Sequence, residues 1–543
     1  MKKYLINKNN DLSFALNQMN KNQLKILVCV DDNTRLVGTL SDGDIRRYLV
    51  KKNSFNVKID KIANKNAIYV FNEDNISDKY DLKYNIIPVL DKNKKVISIV
   101  ELENFKPQNN QLKVNVIGLG YVGITMSCVI AEAGFQVYGL ESNKKIRSKL
   151  SQKKPTFYEP GLENYLKKYI NNNLFISNKL KKANIHIITV GTPINKNKKP
   201  ILDSIIDASN IISKVLSKGD LIIVRSTVPV GTTRNIIIKN LQKNNNLICG
   251  SDFSIVFAPE RTAEGVALKE LSKNPQIIGS YDKKSFNLAS NFFNEFCDVV
   301  IDAGSLEAAE VCKLIDNTYR DYNFAFANNI SLLANSLKLD ANKILNLVNL
   351  GYDRNNIPLP SPGVGGPCLS KDPYIFANIY SKYNLDNKFI FNARKINEYG
   401  PTHLFKKIKS YHNENKLKFN KSKVVIIGLA FKGSPATSDV RNSSSLDIIK
   451  LFDKKNLSVY DPVLDKNEIR QLGYNYLTKL EDCFKNKNII IIMNNHESYK
   501  KWDLKRLLKN THKNFIFCDP WKNFDREYIK SFSNIKYMSL DKD

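Results

Sequence analysis

Residues 112–141 constrain the fold more than any other part of the chain. They run as an apolar strand, a glycine-rich turn, a helix and a second strand, and the turn reads Gly118-Leu-Gly120-Tyr-Val-Gly123. Glycines at this spacing allow a tight turn after the strand and close packing of the helix on the sheet. The segment therefore predicts a βαβ unit with parallel strands, the building block of a doubly wound α/β sheet.

The second strand of this unit ends at Glu141, 18 positions beyond Gly123. In such a unit the N–H groups at the start of the helix bind a pyrophosphate, and the carboxylate binds the ribose hydroxyls of adenosine. A carboxylate here repels a 2′-phosphate, so the pattern predicts NAD rather than NADP. The residues predicted to bind NAD in this unit are Gly118, Gly120, Tyr121, Val122, Gly123 and Glu141.

Strand-like runs alternate with helical segments after residue 111, which predicts parallel sheets covered by helices on both faces. Between two such regions a long helical stretch follows Ser305, which can cap its first turn, and a Gly/Pro-rich loop covers 351–367. The predicted fold is α/β, with two Rossmann-like doubly wound domains joined by a long central helix. The predicted strands lie at 112–118, 136–141, 185–190, 220–225, 254–258, 423–428, 457–461, 488–493 and 515–519.

The first hundred residues contain an internal repeat, in which residues 26–37 match residues 86–97 at a constant offset of 60. Each copy reads as a strand, an Asp/Asn turn and a second strand. The first copy continues into Ser41-Asp-Gly-Asp44 and a helix. This α+β module resembles a pair of CBS domains, in which a Ser/Thr and an Asp three residues later hydrogen-bond the ribose of a nucleotide.

The CBS resemblance implies a regulatory ligand at Ser41 and Asp44, either an adenine nucleotide or a nucleotide-sugar end product. The second copy has Glu101 and Asn104 at the equivalent positions, so at most one site follows the pattern. The alternative is an interaction or oligomerisation module that binds no ligand. A polar linker at 106–111 follows the module. The predicted domains are the CBS pair at 1–107, an NAD-binding domain at 112–303, a central helical domain at 304–412 and a C-terminal Rossmann-like domain at 421–543.

The chain of 543 residues has a formal charge of +30, which can indicate binding to nucleic acid or to an anionic membrane surface. Its lysines are scattered through every segment, which favours a Lys-rich background with no nucleic-acid partner. The eight cysteines include no Cys-x-x-Cys pair, so neither disulfides nor a metal site is expected. Without a signal peptide or an apolar run of roughly 18 residues, we expect a cytoplasmic protein with no membrane insertion.

A second glycine-rich segment, Gly363-Val-Gly365-Gly-Pro-Cys368, leads into a cysteine. If Cys368 begins a helix, the unpaired N–H groups there lower the pKa of its thiol, and Asp372 lies on the same helix face. A dinucleotide turn combined with such a cysteine resembles the nucleotide-sugar 6-dehydrogenases, the family of UDP-glucose and UDP-N-acetylhexosamine dehydrogenases. The resemblance covers residues 112–543.

Several other motifs of that family match this sequence. They are Val190-Gly-Thr192-Pro, Ser226-Thr227-Val-Pro, Pro259-Glu260-Arg261-Thr-Ala-Glu264, Glu310-Val-Cys-Lys313 with Asn317, and Phe431-Lys432 with Asp439-Val-Arg441. The resemblance implies catalytic roles for Thr192, Glu260, Lys313, Asn317, Cys368 and Asp372. It implies further NAD contacts for Thr192, Thr227, Glu264 and Lys371. It implies UDP-sugar contacts for Glu260, Arg261, Lys313, Asn317, Gly365, Lys432 and Arg441.

The sequence departs from the expected patterns at two positions. The C-terminal domain keeps Gly428 but has Ala430 where a dinucleotide turn has its second glycine, so we expect the UDP end of the substrate there and not a second NAD. Pro367 stands where the family usually has Ser or His before the cysteine. This change removes no catalytic group.

The resemblance implies a four-electron oxidation of the C6 hydroxymethyl group of a UDP-hexose to a uronate, through a thioester on Cys368, for surface polysaccharide synthesis. The segment 319–328 is more similar to the N-acetylhexosamine branch, which favours UDP-N-acetylmannosamine or UDP-N-acetylglucosamine. UDP-glucose is the alternative. A nucleotide-sensing scaffold without turnover is a rival of another class, but Cys368 and Lys313 are both retained. A homo-oligomer is expected.

Overall fold

The structure is a computed structural model that describes residues 2–22, 26–52, 54, 56–71, 86–101, 112–243, 245–509 and 511–541. It separates into two units. The N-terminal unit comprises Met1–Gln111 together with Asn291–Val300, and the second unit comprises Leu112–Ser290 together with Ile301–Asp543.

The N-terminal unit contains two small sheets with short helices. Its elements are β1 (Leu5–Asn7), α1 (Leu12–Asn22), β2 (Ile26–Val30), β3 (Leu36–Ser41), α2 (Asp42–Lys52), β4 (Val70–Phe71), β5 (Ile86–Leu90) and β6 (Val96–Glu101). The strand orders are β1-β2-β3 and β4-β5-β6. Apolar strand residues such as Leu27 and Ile87 are fully buried, which explains why these runs pair as strands.

The two copies of the predicted repeat have the same strand pairing. The register in which β2 pairs with β3 recurs 60 residues later where β5 pairs with β6. The register shifts between Cys29 and Val30 in the first hairpin and between Val89 and Leu90 in the second. Since the irregularity recurs at the equivalent position, the internal repeat is confirmed.

An eight-stranded sheet organises the first part of the second unit. The elements are β7 (Lys113–Ile117), α3 (Tyr121–Glu132), β8 (Gln136–Leu140), α4 (Lys144–Ser151), α5 (Leu162–Tyr169), β9 (Leu174–Ser177), β10 (Ile185–Ile188), α6 (Asp203–Ser213), β11 (Leu221–Val224), α7 (Ile238–Lys243), β12 (Ser254–Phe257), α8 (Ala267–Lys273), β13 (Gln276–Ser280), α9 (Lys283–Asn294) and β14 (Val300–Asp302). The strand order is β14-β13-β12-β11-β10-β7-β8-β9. The sheet is parallel from β12 to β9, and β13 runs antiparallel to β12.

The five strands predicted in this region are confirmed as β7, β8, β10, β11 and β12. The sequence analysis missed β9, β13 and β14. Two of these, β9 and β14, form the edges of the sheet and are only partly buried. Short, half-polar runs carry too weak a hydrophobic period to be recognised as strands.

Long helices follow the first sheet. They are α10 (Leu306–Ser336), α11 (Ala341–Asn349), α12 (Asp372–Lys382) and α13 (Lys388–Glu414). With 31 residues, α10 is about 46 Å long. The Ser305 hydroxyl accepts a hydrogen bond from the Ala308 N–H at 3.2 Å, so both the central helix and its cap are confirmed.

A second, smaller α/β region ends the chain. Its elements are β15 (Val424–Ile427), α14 (Ser444–Ile449), β16 (Leu457–Tyr460), α15 (Lys466–Gln471), β17 (Asn475–Tyr476), α16 (Leu480–Phe484), β18 (Ile489–Ile492), α17 (Leu504–Leu508), β19 (Phe515–Cys518), α18 (Arg526–Lys530) and β20 (Ile535–Met538). The strand order is β17-β16-β15-β18-β19-β20, and every pair is parallel. The predicted α/β fold is confirmed, with a parallel C-terminal sheet and a first sheet that is parallel except at β13. Across the part of the chain that the structure describes, no helix combines the length and apolar character needed to cross a membrane.

Candidate active site

The glycine-rich turn between β7 and α3 leaves open space above the helix start. Gly118 has φ of +91°, and a Cβ on Gly123 would lie 1.9 Å from the Gly118 carbonyl oxygen. A Cβ on Gly120 would meet no atom within 4 Å. A cavity of about 460 Å³ lies here, with Gly118, Gly120 and Glu141 among its lining residues. The turn thus packs tightly on the protein side and is open on the cavity side.

Glu141 links the turn to the end of β8. Its carboxylate accepts hydrogen bonds from the N–H groups of Leu119 at 3.0 Å and Asn143 at 2.8 Å. Gly120, the N-cap of α3, has no side chain that could accept hydrogen bonds from the first N–H groups of the helix. The first N–H groups of α3, which include Tyr121 and Val122, therefore suit a pyrophosphate, and Glu141 suits a ribose. The cavity and its donor set fit NAD.

The loop that carries Cys368 is held by close backbone packing. Gly366 has φ of +90°, and a Cβ there would lie 2.6 Å from the Phe431 ring. The Gly366 N–H donates to the Asn442 carbonyl at 3.1 Å. Cys368 is exposed, whereas Cys312 is half-buried and the other six cysteines are buried. The loop therefore presents one accessible thiol.

The helix after this loop begins later than predicted. α12 starts at Asp372, whose N–H donates to the Cys368 carbonyl at 2.9 Å. Cys368 thus precedes the helix by one turn. Although the residue as a whole is exposed, protein atoms around the sulfur desolvate it, and this desolvation and the charge of Asp372 raise the pKa of the thiol, which Lys313 and Lys371 offset only in part. The predicted lowering of this pKa is therefore wrong.

We expect Asp372→Asn to lower the pKa of the Cys368 thiol, because it removes a carboxylate that opposes the thiolate and keeps the side-chain shape. A lower pKa gives more thiolate at a given pH, so alkylation by iodoacetamide should set in at lower pH than in the wild type. The rate is followed on the Cys368 peptide by mass spectrometry, with Asp386→Asn at an exposed position as the control. If the pH at which alkylation is half-maximal stays the same or rises in Asp372→Asn, the assignment of Asp372 as a cause of the raised pKa is contradicted.

Asp372 is fully buried and joins α10 to the Cys368 loop. Its Oδ2 accepts a hydrogen bond from Asn317 Nδ2 at 2.6 Å, and its Oδ1 accepts one from Lys371 Nζ. Burial alone would lower the pKa of Lys371, but the charge of Asp372 raises it overall. Three predicted site residues, Asn317, Lys371 and Asp372, thus lie together next to Cys368.

Lys313 is buried on α10, and its Nζ donates to the main-chain carbonyl of Glu260. The Glu260 carboxylate instead pairs with Arg225, a buried residue that also donates to Gln276 at 2.8 Å. Burial alone would raise the pKa of Glu260, but Arg225 and the N–H of Thr262 lower it overall. The carboxylate is therefore ionised and paired, and the carbonyl is the group of Glu260 that contacts Lys313.

Glu264 lies with residues of the C-terminal region. Its carboxylate accepts a hydrogen bond from the Thr437 hydroxyl at 3.0 Å and lies 3.6 Å from Arg441, and its main-chain carbonyl accepts one from Lys432 at 2.7 Å. Burial and Asp439 raise the pKa of Glu264 to about 7. Glu264 thus lies beside the predicted substrate residues Lys432 and Arg441, and its contact with NAD stays a prediction.

The predicted segments that follow β10 and β11 also meet. The Thr192 hydroxyl donates to the main-chain carbonyl of Thr227. In the segment after β12, Arg261 Nε donates to Asp316 of α10 at 2.9 Å. These contacts follow from the fold, because the carboxyl ends of neighbouring parallel strands meet at one edge of the sheet.

A cavity of about 740 Å³ extends from Thr192 along the Cys368 loop to the C-terminal region. Gly365, Lys371 and Arg441 line it, together with Asn442 of the loop before α14. Its cationic side chains suit an anionic ligand, and its volume is within the range of small-molecule sites. The cavity thus suits an anionic ligand, and Pro367 and Ser370, which flank Cys368 in the sequence, are among its lining residues.

The sequence analysis missed several residues that support the site. Arg225 pairs with Glu260, and Asn442 Nδ2 donates to the Ser370 hydroxyl at 2.8 Å. Glu310, which the sequence analysis named in a motif without a role, accepts hydrogen bonds from the N–H and hydroxyl groups of Thr233, and burial raises its pKa to about 7. All these partners are distant in sequence, so no local motif reveals them.

In the N-terminal unit, Ser41 and Asp44 bond to each other. The Ser41 hydroxyl and N–H donate to Asp44 Oδ2 at 2.6 and 2.9 Å, and the Asp44 N–H donates to the Ser41 hydroxyl at 3.1 Å. This reciprocal pattern caps the start of α2 and gives both residues a structural role. In the second copy, the side chain of Glu101, Asn104 and the linker at 106–111 lie outside the described residues.

Models of all three domains of one enzyme family match this chain. The NAD-binding domain of the UDP-glucose/GDP-mannose dehydrogenase family matches residues 112–297, the central domain matches 307–399, and the UDP-binding domain matches 425–526. The CBS domain model matches residues 2–51, the first copy of the repeat.

Curated relatives match over most of the chain. The UDP-N-acetyl-D-mannosamine dehydrogenase of Methanococcus vannielii is 33% identical over 76% of this chain and 94% of the relative. The enzyme of the same name from Campylobacter jejuni is 35% identical over 64% of this chain and 84% of the relative.

Solved structures give the same match. The UDP-D-ManNAc dehydrogenase of Pyrococcus horikoshii aligns with a TM-score of 0.71 and 28% identity, over 79% of this chain and 99% of that one. The UDP-N-acetyl-mannosamine dehydrogenase of Staphylococcus aureus aligns with a TM-score of 0.68 and 27% identity, over 79% of this chain and 98% of that one.

Proposed function

Because the chain belongs to the UDP-glucose/GDP-mannose dehydrogenase family, we propose that it oxidises C6 of UDP-N-acetyl-D-mannosamine to the uronate. It is an NAD-dependent UDP-sugar dehydrogenase with a CBS domain at its N-terminus. The observation that carries the proposal is the exposed Cys368 beside Lys371 and Asp372, next to a cavity of about 740 Å³. The names of the relatives support the choice of sugar.

The turn at Gly118–Gly123 holds the pyrophosphate of NAD, Glu141 holds the adenosine ribose, and Thr192, Thr227, Glu264 and Lys371 contact the remainder. NAD⁺ supplies the acceptor for one hydride in each of two successive oxidations. The protein supplies the nucleophile between them. Cys368 attacks the C6 aldehyde as a thiolate, so that a C–S bond forms and the carbonyl oxygen becomes an oxyanion. After the second oxidation the sugar is held as a thioester.

Lys313 and Asn317 lie one turn apart on α10 and donate to the oxyanion. Their present acceptors support this role, since Lys313 donates to the Glu260 carbonyl and Asn317 to Asp372. Both side chains therefore already donate hydrogen bonds to oxygen atoms of residues that belong to the candidate site. Glu260 acts by holding Lys313 in place.

Hydrolysis of the thioester needs a water held near the sulfur. Asp372 and the Thr192 hydroxyl are the groups proposed to hold it. The charge of the buried Asp372 carboxylate already acts on the Cys368 thiol, which supports this role. Attack of this water breaks the C–S bond, releases the uronate and returns Cys368 to its thiol form.

The UDP end of the substrate binds towards the C-terminal region. Lys432 and Arg441 are the proposed diphosphate contacts, with Arg261 from the segment after β12 and Gly365 from the Cys368 loop. Lys432 and Arg441 both contact Glu264, which supports a shared site. We therefore propose the four predicted domains as the functional parts of the chain. They are the CBS pair at 1–107, the NAD-binding domain at 112–303, the central domain at 304–412 and the UDP-sugar-binding domain at 421–543.

The test is NADH formation by the purified chain with UDP-N-acetylmannosamine, UDP-N-acetylglucosamine, UDP-glucose and GDP-mannose, with the products identified by mass spectrometry. The proposal expects the highest kcat/KM with UDP-N-acetylmannosamine and two NADH per uronate. A higher value with UDP-glucose would assign the alternative substrate. No turnover with any of the four sugars would favour the scaffold.

We expect a strong preference for NAD over NADP, because Glu141 would meet the 2′-phosphate as an unneutralised carboxylate. The penalty is about 1–3 kcal/mol, or roughly 5- to 150-fold in kcat/KM. The measurement is kcat/KM for both cofactors in the wild type and in Glu141→Gln, which removes the charge and keeps an acceptor for Leu119. Equal use of NADP by the wild type would contradict the placement of Glu141.

The CBS module is proposed to bind one adenine nucleotide and to tune the dehydrogenase modestly, since allosteric coupling is typically about 1–3 kcal/mol. Against this, Ser41 and Asp44 satisfy each other, and a cavity of about 680 Å³ in this unit is lined by other residues, among them Tyr48 and Lys58. A structural module without a ligand is therefore the alternative. Calorimetry with AMP, ATP and UDP-sugars on the full chain and on Asp44→Ala separates the two, because only binding at the CBS module should be lost in the variant.

Deletion of residues 1–107 should leave an enzyme that still makes uronate, because every proposed catalytic group lies beyond Gly118. Residues 291–300 are grouped with the deleted residues in the N-terminal unit, so thermal unfolding is measured as well. The measurements are kcat/KM and thermal unfolding, compared with the full chain. Complete loss of uronate formation in a variant that remains folded would show that the module is part of the working enzyme.

A homo-oligomer is proposed from the outer face of α10. Exposed apolar and aromatic side chains recur at helical spacing along it, at Ile315, Tyr319, Tyr322, Phe326 and Leu333. An exposed stripe of this kind is typical of an interface. Light scattering coupled to size-exclusion chromatography measures the assembly.

A further inference from the structure

Arg394 is a buried cation on α13 that the proposed chemistry does not use. Only 1% of its surface is exposed, and it is among the residues that line the cavity of about 740 Å³. Its Nη1 donates to Asp321 Oδ1 at 2.6 Å, its Nη2 donates to Glu398 at 3.2 Å, and both nitrogens lie 3.3 Å from the main-chain carbonyl of Val364. Val364 belongs to the glycine-rich loop that ends at Cys368. One guanidinium thus joins a buried carboxylate to the backbone of the nucleophile loop.

The loop also packs backbone against backbone on α13. The Val364 N–H donates to the Asn397 carbonyl at 3.2 Å. A Cβ on Gly400 would lie 2.6 Å from the Gly363 nitrogen, so no side chain fits between the helix and the loop. The path of the loop before Cys368 is therefore set by Arg394 from one side and by the surface of α13 from the other.

The partner of Arg394 lies on the same face of α10 as the oxyanion groups. Lys313, Asn317 and Asp321 follow one another at intervals of four residues, and all three are buried. Asn397 Nδ2 donates to both the carbonyl and the carboxylate of Asp321 at 2.8 Å. The network therefore ties the helix that carries Lys313 and Asn317 to the loop that carries Cys368.

We infer that Arg394 is a positioning residue that sets the place of the Cys368 loop relative to Lys313 and Asn317. This inference rests on the proposed function for its kinetic consequence. The first oxidation needs the sugar and NAD⁺ in place, whereas attack by the thiol also needs the sulfur and the oxyanion donors in register. Displacement of the loop therefore slows formation of the C–S bond more than formation of the aldehyde.

The planar fork of arginine is needed for this role. It reaches Asp321, Glu398 and the Val364 carbonyl at once, which a single ammonium group on a flexible stem cannot do in the same geometry. Arg394→Lys keeps a positive charge opposite Asp321 and loses the fork. The double variant Asp321→Asn/Arg394→Gln removes both charges together and leaves no unpaired ion in the interior.

The experiment measures two properties of both variants. In the enzyme without added substrate, the alkylation rate of Cys368 is followed on its peptide, and we expect it to rise severalfold as the loop loosens. With the UDP-sugar, we expect uronate formation to fall about 10- to 100-fold, because displaced reacting groups lower the rate of the chemical step. NADH per uronate should rise above two, with the escaped aldehyde captured by a hydrazine.

Tyr374→Phe is the matched control, because it removes the interactions of the Tyr374 hydroxyl with Glu398, at 2.9 Å, and with Arg394, and leaves the bonds of Arg394 to Asp321 and to the Val364 carbonyl. It should keep two NADH per uronate and the wild-type alkylation rate. The inference is overturned if Arg394→Lys and the double variant both behave like this control. If the wild type makes no uronate, the proposed function fails, and the alkylation rates alone then decide the positioning role.

Discussion

Replacing Cys368 by serine or alanine should abolish uronate formation and leave NAD binding intact. The loop brings only this thiol to the surface beside Asp372, and a thioester needs a sulfur nucleophile that can later be displaced by water. We expect a loss of at least about 10³-fold in uronate formation. The measurements are product analysis by mass spectrometry and the Kd of NAD by calorimetry.

Cys312→Ser is the matched control for this prediction. Cys312 is half-buried and lies on α10, whereas the six remaining cysteines are buried. The control should retain wild-type activity, since no proposed step involves its sulfur. Undiminished uronate production by Cys368→Ala would remove the thioester from the mechanism.

Replacing Lys313 by methionine should lower kcat by about 10²- to 10³-fold, the usual effect of losing one oxyanion donor. Methionine fills the same buried space on α10 without a charge, so the packing is kept. The KM for the UDP-sugar should change little, because the oxyanion forms only after the first oxidation. Steady-state kinetics of Lys313→Met measure both parameters.

Lys343→Met provides the comparison for Lys313, because Lys343 is exposed on α11 and removal of its charge changes the net charge by the same amount. This variant should behave as the wild type. A loss in Lys313→Met that appears in KM alone would assign Lys313 to substrate binding and not to the oxyanion.

The strands that position the site were predictable from sequence because they are short, continuous apolar runs, as in Ile489–Ile492. The turn at Gly118–Gly123 was predictable because its glycines are needed sterically, as the 1.9 Å approach of a Cβ on Gly123 to the Gly118 carbonyl shows. Sequence patterns were sufficient for these elements because the contacts that determine them lie within a few residues along the chain.

Long-range contacts account for what the sequence analysis missed. The pairing of Glu260 with Arg225 links the ends of two strands, and nothing near Glu260 in sequence indicates that its carboxylate is occupied. The pKa of Cys368 was predicted from a helix start that lies one turn later, and the dominant effects are packing and Asp372. In both cases, a charged residue brought close by folding helps to determine the state of the group, Arg225 for the Glu260 carboxylate and Asp372 for the Cys368 thiol.

The buried face of α10 holds four polar side chains at fixed spacings along the helix. Glu310, Lys313, Asn317 and Asp321 each bond to a different segment of the chain, and their order along the helix matches the order of those segments in the sequence. One inserted residue would rotate everything beyond it by about 100°. An insertion or deletion between positions 310 and 321 would therefore break the contacts of this face. Substitutions on the opposite side of the helix leave the spacing of these residues unchanged.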